Sequence, residues 1–352
     1  TTEIYTLSLH DALPISMLTH YLRLTIILLF LLFKLAGCTT EPASETAEEA
    51  TDSTATDTKT YEAISLLGDT LYPMGLSPAR QAQYDSALQV AQADYQQFPD
   101  SADYVVWVGR RLGYLSRYQD AIDVFTKGIQ RFPNSAELYR HRGHRYITTR
   151  QFDKAIADLE KSAELLKNQP VRIEPDGIPI PLPPDQEPTS LQFNVYYHLG
   201  LAHYLNGNYG KAAEAYQQCL AFCDDHDEVV ATTDWLYMTY RRLGEDEVAE
   251  RLLVDIQQDM QIVANEGYFE RLLMYKGMLP PDSLLQISTA SSPDDRALEL
   301  ATKGYGVANY YLNEGDSTTG ADMLQDIVDG RYWAAFGYIA AEADLARLKE
   351  QE

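Results

Sequence analysis

A tetrapeptide recurs at a fixed interval along this chain: Phe98-Pro99-Asp100-Ser101 returns as Phe132-Pro133-Asn134-Ser135, 34 residues later. Smaller residues keep the same beat. Gly109 and Ala121 are twelve apart, as are Gly143 and Ala155, and again Gly200 and Ala212. An aromatic stands three residues before each Ala (Tyr118, Phe152, Tyr209), and a large apolar residue four after it (Phe125, Leu159, Tyr216). Self-similarity at a period of roughly 20–50 residues means a stacked array, in which no unit buries its apolar face alone. Pro99 and Pro133 stop a helix, and the Asp-Ser or Asn-Ser that follows caps the next one. The Gly and Ala positions are small enough for neighbouring segments to approach closely, and the aromatics are large enough to fill the space between units.

This pattern resembles the tetratricopeptide repeat (TPR), a 34-residue unit of two antiparallel helices. The resemblance implies an all-α fold: a TPR-type right-handed helical-hairpin solenoid closed by a C-terminal capping helix. The array is expected over residues 61–260. Tyr84, Ala87 and Pro99 match the second half of a preceding unit whose first helix, around Tyr72–Pro78, is poorly patterned. A fourth unit spans about 230–260 with Trp235, Tyr240, Ala249 and Leu253, but it lacks the Gly of the first helix. Residues 261–352 read as divergent helical repeats and a cap. An extra helix lies in GYFERLLMYKGML, and Ser292 before Pro293 restarts a helix after a loop. A divergent pair centres on Ala321, and the amphipathic run beginning RYWAAFGYIAAEADLARLKE caps the stack.

Gly143 and Gly200 are 57 residues apart, so 23 residues are inserted, at 168–190. Val171-Arg172-Ile173 and Ile178-Pro179-Ile180 flank Glu174-Pro175-Asp176-Gly177, the signature of a hairpin turn. Such an insert either covers the groove as a flap or decorates the surface of the junction it interrupts.

Ahead of the repeats, residues 1–15 resemble a translated sequencing adapter, so 1–16 are set aside and the reading starts at Met17. Arg23 precedes an unbroken apolar run, Ile26–Phe33, too short for a span of ~20 residues. Leu35-Ala36-Gly37-Cys38 resembles the lipobox of bacterial lipoproteins. That resemblance implies a signal peptide at 17–37 and a lipid on Cys38, the alternative being an uncleaved N-terminal anchor. Thr39 lacks the aspartate that retains some lipoproteins at the inner membrane, so an outer-membrane location is expected. Residues 38–60 are an acidic Thr/Ala/Glu tether with an r.m.s. reach of ~25 Å. Residues 1–37 hold two acids and two bases, so the remainder keeps the formal charge of −24. Such acidity excludes general affinity for nucleic acid.

No nucleophile elbow, metalloprotease helix or phosphate-binding loop is present, so neither an enzyme nor a cofactor is expected. The one cluster with ligand chemistry is Cys219, Cys223 and His226. Two thiols a helical turn apart and a nearby imidazole can ligate zinc, and the thiols can pair in an oxidising compartment. Against both, Cys219 falls where earlier units place Gly128 and Ser162, a position that demands a small buried residue. His141, His144, His198 and His203 fall on helices the repeat already explains.

The TPR resemblance also implies a concave groove lined by first-helix residues. By register these are Arg110 and Tyr114, Arg140 and His144, Asn194, Tyr197 and Tyr204, and Arg241 and Arg242. The carboxylate clamp of chaperone-binding TPR domains is absent, because Val106, Arg110, His141, Asn194 and His198 hold its positions. Residues 102–166 carry 11 bases and 8 acids inside a chain of charge −24. A locally basic groove of Arg and Tyr favours an acidic segment. The expected function is a membrane-anchored scaffold that binds other envelope proteins or peptides. The alternative is a glycan- or nutrient-binding lipoprotein, for which 25 Tyr and 3 Trp supply stacking surfaces.

Overall fold

The computed structural model describes residues 60–175, 188–286 and 293–351. Cys38, the adapter-like, signal and tether segments, Ser292 and the Ile178–Ile180 run lie outside the described residues. The described residues form an all-α helical solenoid. α1 (Pro78–Gln97) precedes three full hairpins: α2 (Ala102–Tyr114) with α3 (Tyr118–Arg131), α4 (Ala136–Thr148) with α5 (Phe152–Leu166), and α6 (Leu191–Leu205) with α7 (Tyr209–Leu220). A fourth pairs α8 (His226–Leu243) with the short α9 (Asp246–Leu252), which runs into a 3-10 turn at Leu253–Asp255. Then come α10 (Glu266–Tyr275), α11 (Pro281–Leu284) and α12 (Pro293–Glu299). α12 continues through a π turn (Leu300–Gly304) into α13 (Tyr305–Asn313), followed by α14 (Ser317–Val328) and α15 (Phe336–Gln351). No helix among the described residues is long and apolar enough to cross a membrane.

The expected repeat positions meet in space. A Cβ on Gly109 would lie 2.2 Å from the Phe125 ring, one on Gly143 2.8 Å from Leu159, and one on Gly200 2.7 Å from Tyr216. Each Gly therefore makes room for the large residue sixteen positions on, and Ala121, Ala155 and Ala212 are fully buried beside them. The small-residue position behaves uniformly too. Ser162 Oγ donates to Ala136 O at 2.8 Å. Cys219 Sγ meets Phe193 O at 3.5 Å across the same sequence offset. Ser101, Ser135 and Ser190 each cap the helix that follows them by accepting a backbone N–H. In the fourth unit Tyr237 replaces the Gly, stacks on Tyr275 of α10 at 4.4 Å, and is paired with a second helix of only seven residues.

Two regions depart from the pattern. The first helix of the preceding unit, expected around Tyr72–Pro78, does not form: residues 72–77 run without regular structure into α1, and ahead of them the chain makes a two-stranded hairpin, β1 (Ala63–Ile64) and β2 (Thr70–Leu71). Glu62, just before it, accepts the Gln119 N–H at 2.8 Å and so ties the hairpin to the start of α3. In the insert, Ile173 pairs with Ser190 in an isolated antiparallel bridge.

Candidate functional site

The first helices stand side by side: α2 contacts α4, α4 contacts α6, and α6 contacts α8, forming the inner layer of the solenoid. All nine residues expected in the groove lie on these four helices. Seven of them are engaged by the chain's own insert or C-terminal elements, and Tyr114 and Tyr197 by neighbouring aromatics. α15 reaches α6, and α13 reaches α8.

At the α2–α4 end, one carboxylate organises the site. Glu174, from the insert, is buried, with Oε1 at 3.2 Å from His141 Nε2 and 4.0 Å from Arg110 Nη1. Its Oε2 lies 3.3 Å from Arg140 Nε and accepts from Asn194 Nδ2 at 2.9 Å. Burial alone raises a carboxyl pKa, but here Arg140, His141 and Arg110 overrule it and hold Glu174 well below the usual carboxylate range. Backbone is read as well. Arg110 Nη1 donates to Pro175 O at 2.8 Å. The Gln192 amide donates to Pro170 O at 2.9 Å and accepts from Arg172 N–H at 3.1 Å. Arg172 pairs with Glu137 of α4 at 2.6 Å. Residues 170–175 thus lie against the inner layer, held by side chains of α2, α4 and α6. The Arg110 guanidinium also covers the Trp107 ring at 4.7 Å.

Further along, α15 supplies the acids. Tyr204 OH lies 2.8 Å from Tyr305 OH, which donates to Asp344 Oδ2 at 2.9 Å, and Asn309 Nδ2 donates back to Tyr204 at 3.0 Å. Burial pushes the Tyr204 hydroxyl up to about 12, so this chain of hydrogen bonds stays protonated. Arg242 and Arg347 close on the two Asp344 oxygens at 2.7 and 2.8 Å. Arg241 pairs with Asp246 at 2.8 Å and Glu314 at 3.0 Å. Between the two ends, His144 and His198 lie 4.4 Å apart, and both rings meet Phe336 of α15. Tyr197 is buried against Phe193 and Tyr216, and Tyr114 is half-buried against Tyr84 at 5.7 Å.

Several of these partners escape the sequence reading. Every residue from Ala335 to Leu345 is buried, including Glu342 and Asp344, while the charged end from Ala346 to Glu350 is at least partly exposed. The signal was present: acids set among alanines in Ile339-Ala340-Ala341-Glu342-Ala343-Asp344-Leu345. Such acids inside an otherwise apolar run call for buried cations. Arg150, at the turn after α4, answers Glu342 at 2.7 Å and donates to Trp333 O at 2.8 Å.

The Cys219, Cys223 and His226 candidates do not converge on one point. Both thiols are free and lie near Thr232 Oγ1, at 3.5 and 3.6 Å. The His226 ring instead accepts from Gln261 N–H at 2.9 Å. Among the described residues, no group of three or more His, Cys, Asp or Glu has the arrangement of a metal site.

The sequence profile of the tetratricopeptide repeat matches residues 193–226, from the third residue of α6 to the first of α8. A TPR repeat is thus present at the third hairpin. No curated protein matches the chain. Among solved structures, the chain is similar to YrrB, a TPR protein with an unusual peptide-binding site: 12% identity over 76% of this chain and 100% of that one, TM-score 0.38. It is similar to a TPR protein from Parabacteroides merdae at 13% identity over 76% and 94%, TM-score 0.42. A third likeness is to a chain of the APC/C hetero-tetramer Cut9–Hcn1, at 14% identity over 77% of this chain, TM-score 0.42; this chain spans 41% of that one.

Proposed function

We propose that this protein is a scaffold for protein–protein interaction, held to a membrane of the bacterial cell envelope by a lipid on Cys38, and that it receives an acidic segment of an envelope protein at the Arg110–Arg140 end of its groove. The helical-repeat fold supports the general role, because stacked hairpins present a long inner surface and little else. One observation carries the specific reading. Arg110, Arg140, His141 and Asn194 converge on a single carboxylate borne by an extended stretch of chain. Such a cluster, once formed, demands an anion, since buried cations without a counter-charge cost several kcal/mol. Sugar stacking finds less support, because Trp235 and Trp333 are both buried in packing.

Capture from envelope extract tests the reading. A folded Arg110→Gln/Arg140→Gln chain should lose the partners that the native chain retains. If every partner stays bound, the basic-groove reading is wrong. Separately, Cys38→Ala should move the protein from the membrane fraction to the soluble one, and persistent anchoring would favour an uncleaved N-terminal helix.

A further inference from the structure

The Glu174 segment is bound in a way that sets it apart from the other elements filling the groove. α13 and α15 are held by large buried faces: Tyr305, Val307 and Ala308 on one, Phe336, Ile339, Ala340 and Ala341 on the other. The described part of the insert has no such face. Val171 and Ile173, its two large apolar residues, are 53% and 56% exposed. Among the described residues its strand-like pairing is one isolated bridge between its own two ends, Ile173 to Ser190, carried by Glu174 N–H to Thr189 O at 2.9 Å and Leu191 N–H to Arg172 O at 2.7 Å. The insert also lies outside the repeat period, so the hairpins stack without needing it. What holds residues 170–175 is polar: the Glu174 carboxylate in its cluster of cations, and backbone groups read by Gln192 and Arg110.

These are the features of a ligand rather than of a core element. Backbone hydrogen bonds recognise any extended chain, and a side-chain pocket supplies the selectivity. A segment that loses little apolar burial on leaving exchanges readily for another that offers the same charge. Withdrawal takes the Glu174 carboxylate from Arg110, Arg140 and His141, a loss that a second carboxylate in the same place makes good, so exchange is favoured over simple opening.

We infer that the face of α2, α4 and α6 is a binding site for an extended, glutamate-bearing peptide segment, and that residues 170–175 are its resident occupant, displaced by a partner's segment of the same chemistry. The inference rests on the docking reading above and adds to it the form of the ligand and a competitor built into the chain. A partner then binds more weakly than the site itself allows, by the fraction of time the resident segment is away.

The test uses the full chain and a fluorescein-labelled peptide with the sequence of residues 168–175, capped at both ends, read by anisotropy. The Glu174→Gln chain, whose own segment has lost its charge, should bind this peptide about tenfold or more tightly than the native chain does. A peptide carrying Gln in place of the glutamate should lose about tenfold on the same chain. A second measurement guards against a weakened fold. Excess peptide should raise the melting temperature of the Glu174→Gln chain, and should speed amide exchange at Glu174 and Leu191 of the native chain. Equal affinity for the two peptides overturns the inference, as does no binding and no thermal shift in the Glu174→Gln chain. If the peptide fails while Arg110→Gln/Arg140→Gln still sheds envelope partners, the docking reading stands and the resident-ligand inference falls. If the peptide binds as described but no envelope partner depends on those arginines, the site is real and the docking reading is what fails.

Discussion

Arg150 ties the turn after α4 to α15, and its removal has a calculable signature. It sits at a left-handed position, φ +62°, just after α4. From there its guanidinium pairs with Glu342 of α15 at 2.7 Å, donates to Trp333 O at 2.8 Å and lies over the Trp333 ring at 5.4 Å. Both members of the pair are almost wholly buried, 3% and 1% exposed as side chains. Arg150→Met keeps most of the stem and removes the charge, leaving a buried carboxylate without its cation. Breaking one side of a buried pair costs about 3–5 kcal/mol. The cost should depend on pH in a defined direction. Burial raises the Glu342 carboxyl even in the native chain, and Arg150 is the strongest of the groups that oppose it, ahead of the Leu66 N–H and the Ser65 hydroxyl. Without Arg150 the folded-state pKa rises further above the unfolded one. The carboxyl then contributes stability that is present below the unfolded pKa and lost as pH climbs through the folded one. Urea unfolding followed by circular dichroism should therefore show a smaller deficit at pH 5 than at pH 8. Arg150→Met/Glu342→Leu, which replaces both charges with apolar groups, should recover most of the loss. A deficit under about 1 kcal/mol for Arg150→Met, or one equal at the two pH values, would refute the argument, because neither is compatible with a stranded buried carboxylate.

Three further outcomes follow from packing and buried charge. Gly109→Ala places a Cβ 2.2 Å from the Phe125 ring and should cost about 1–3 kcal/mol in thermal unfolding. Gly210→Ala, with nothing within 4 Å, should be neutral or slightly stabilising. Burial, reinforced by Asp225 and Asp224 nearby, raises the Glu228 carboxyl from 4.5 to about 7. An acid raised in the folded state loses stability as pH rises between those values, so Glu228→Gln should match the native chain near pH 4.5 and exceed it by up to about 3 kcal/mol at pH 8. A variant less stable than the native chain at pH 8 would show that the Asp224 N–H contact, at 2.8 Å, outweighs the buried charge.

The parts of this fold that are legible in sequence are those whose contacts fall within one period. Gly109 against Phe125, Gly143 against Leu159 and Gly200 against Tyr216 are neighbours along the chain as well as in space, so one spacing rule finds all three. The same register places Arg110, Arg140, Tyr204 and Arg242 on the inner layer. Their partners follow no such rule. Asp344 meets Arg242 from 102 residues away and Tyr305 from 39, across segments where the period has lapsed. Glu174 comes from an insert whose course depends on where its carboxylate finds cations, information held by α2, α4 and α6 and not by the insert. The β1–β2 hairpin is hidden for a related reason: its ordering contact is Glu62 with Gln119, 57 residues on.

The tie between Arg150 and Glu342 spans 192 residues, and Trp333 Nε1 donates to Tyr72 O across 261. An open array of helical hairpins loses its units from the ends, each melting nearly independently of distant ones. Here the first and last described elements are neighbours, so neither is free to fray without dismantling the other. The solenoid should melt as one cooperative block. It should also fold more slowly than an open array of equal length, because its last helix and the turn before it must find partners at Arg150 and Tyr72.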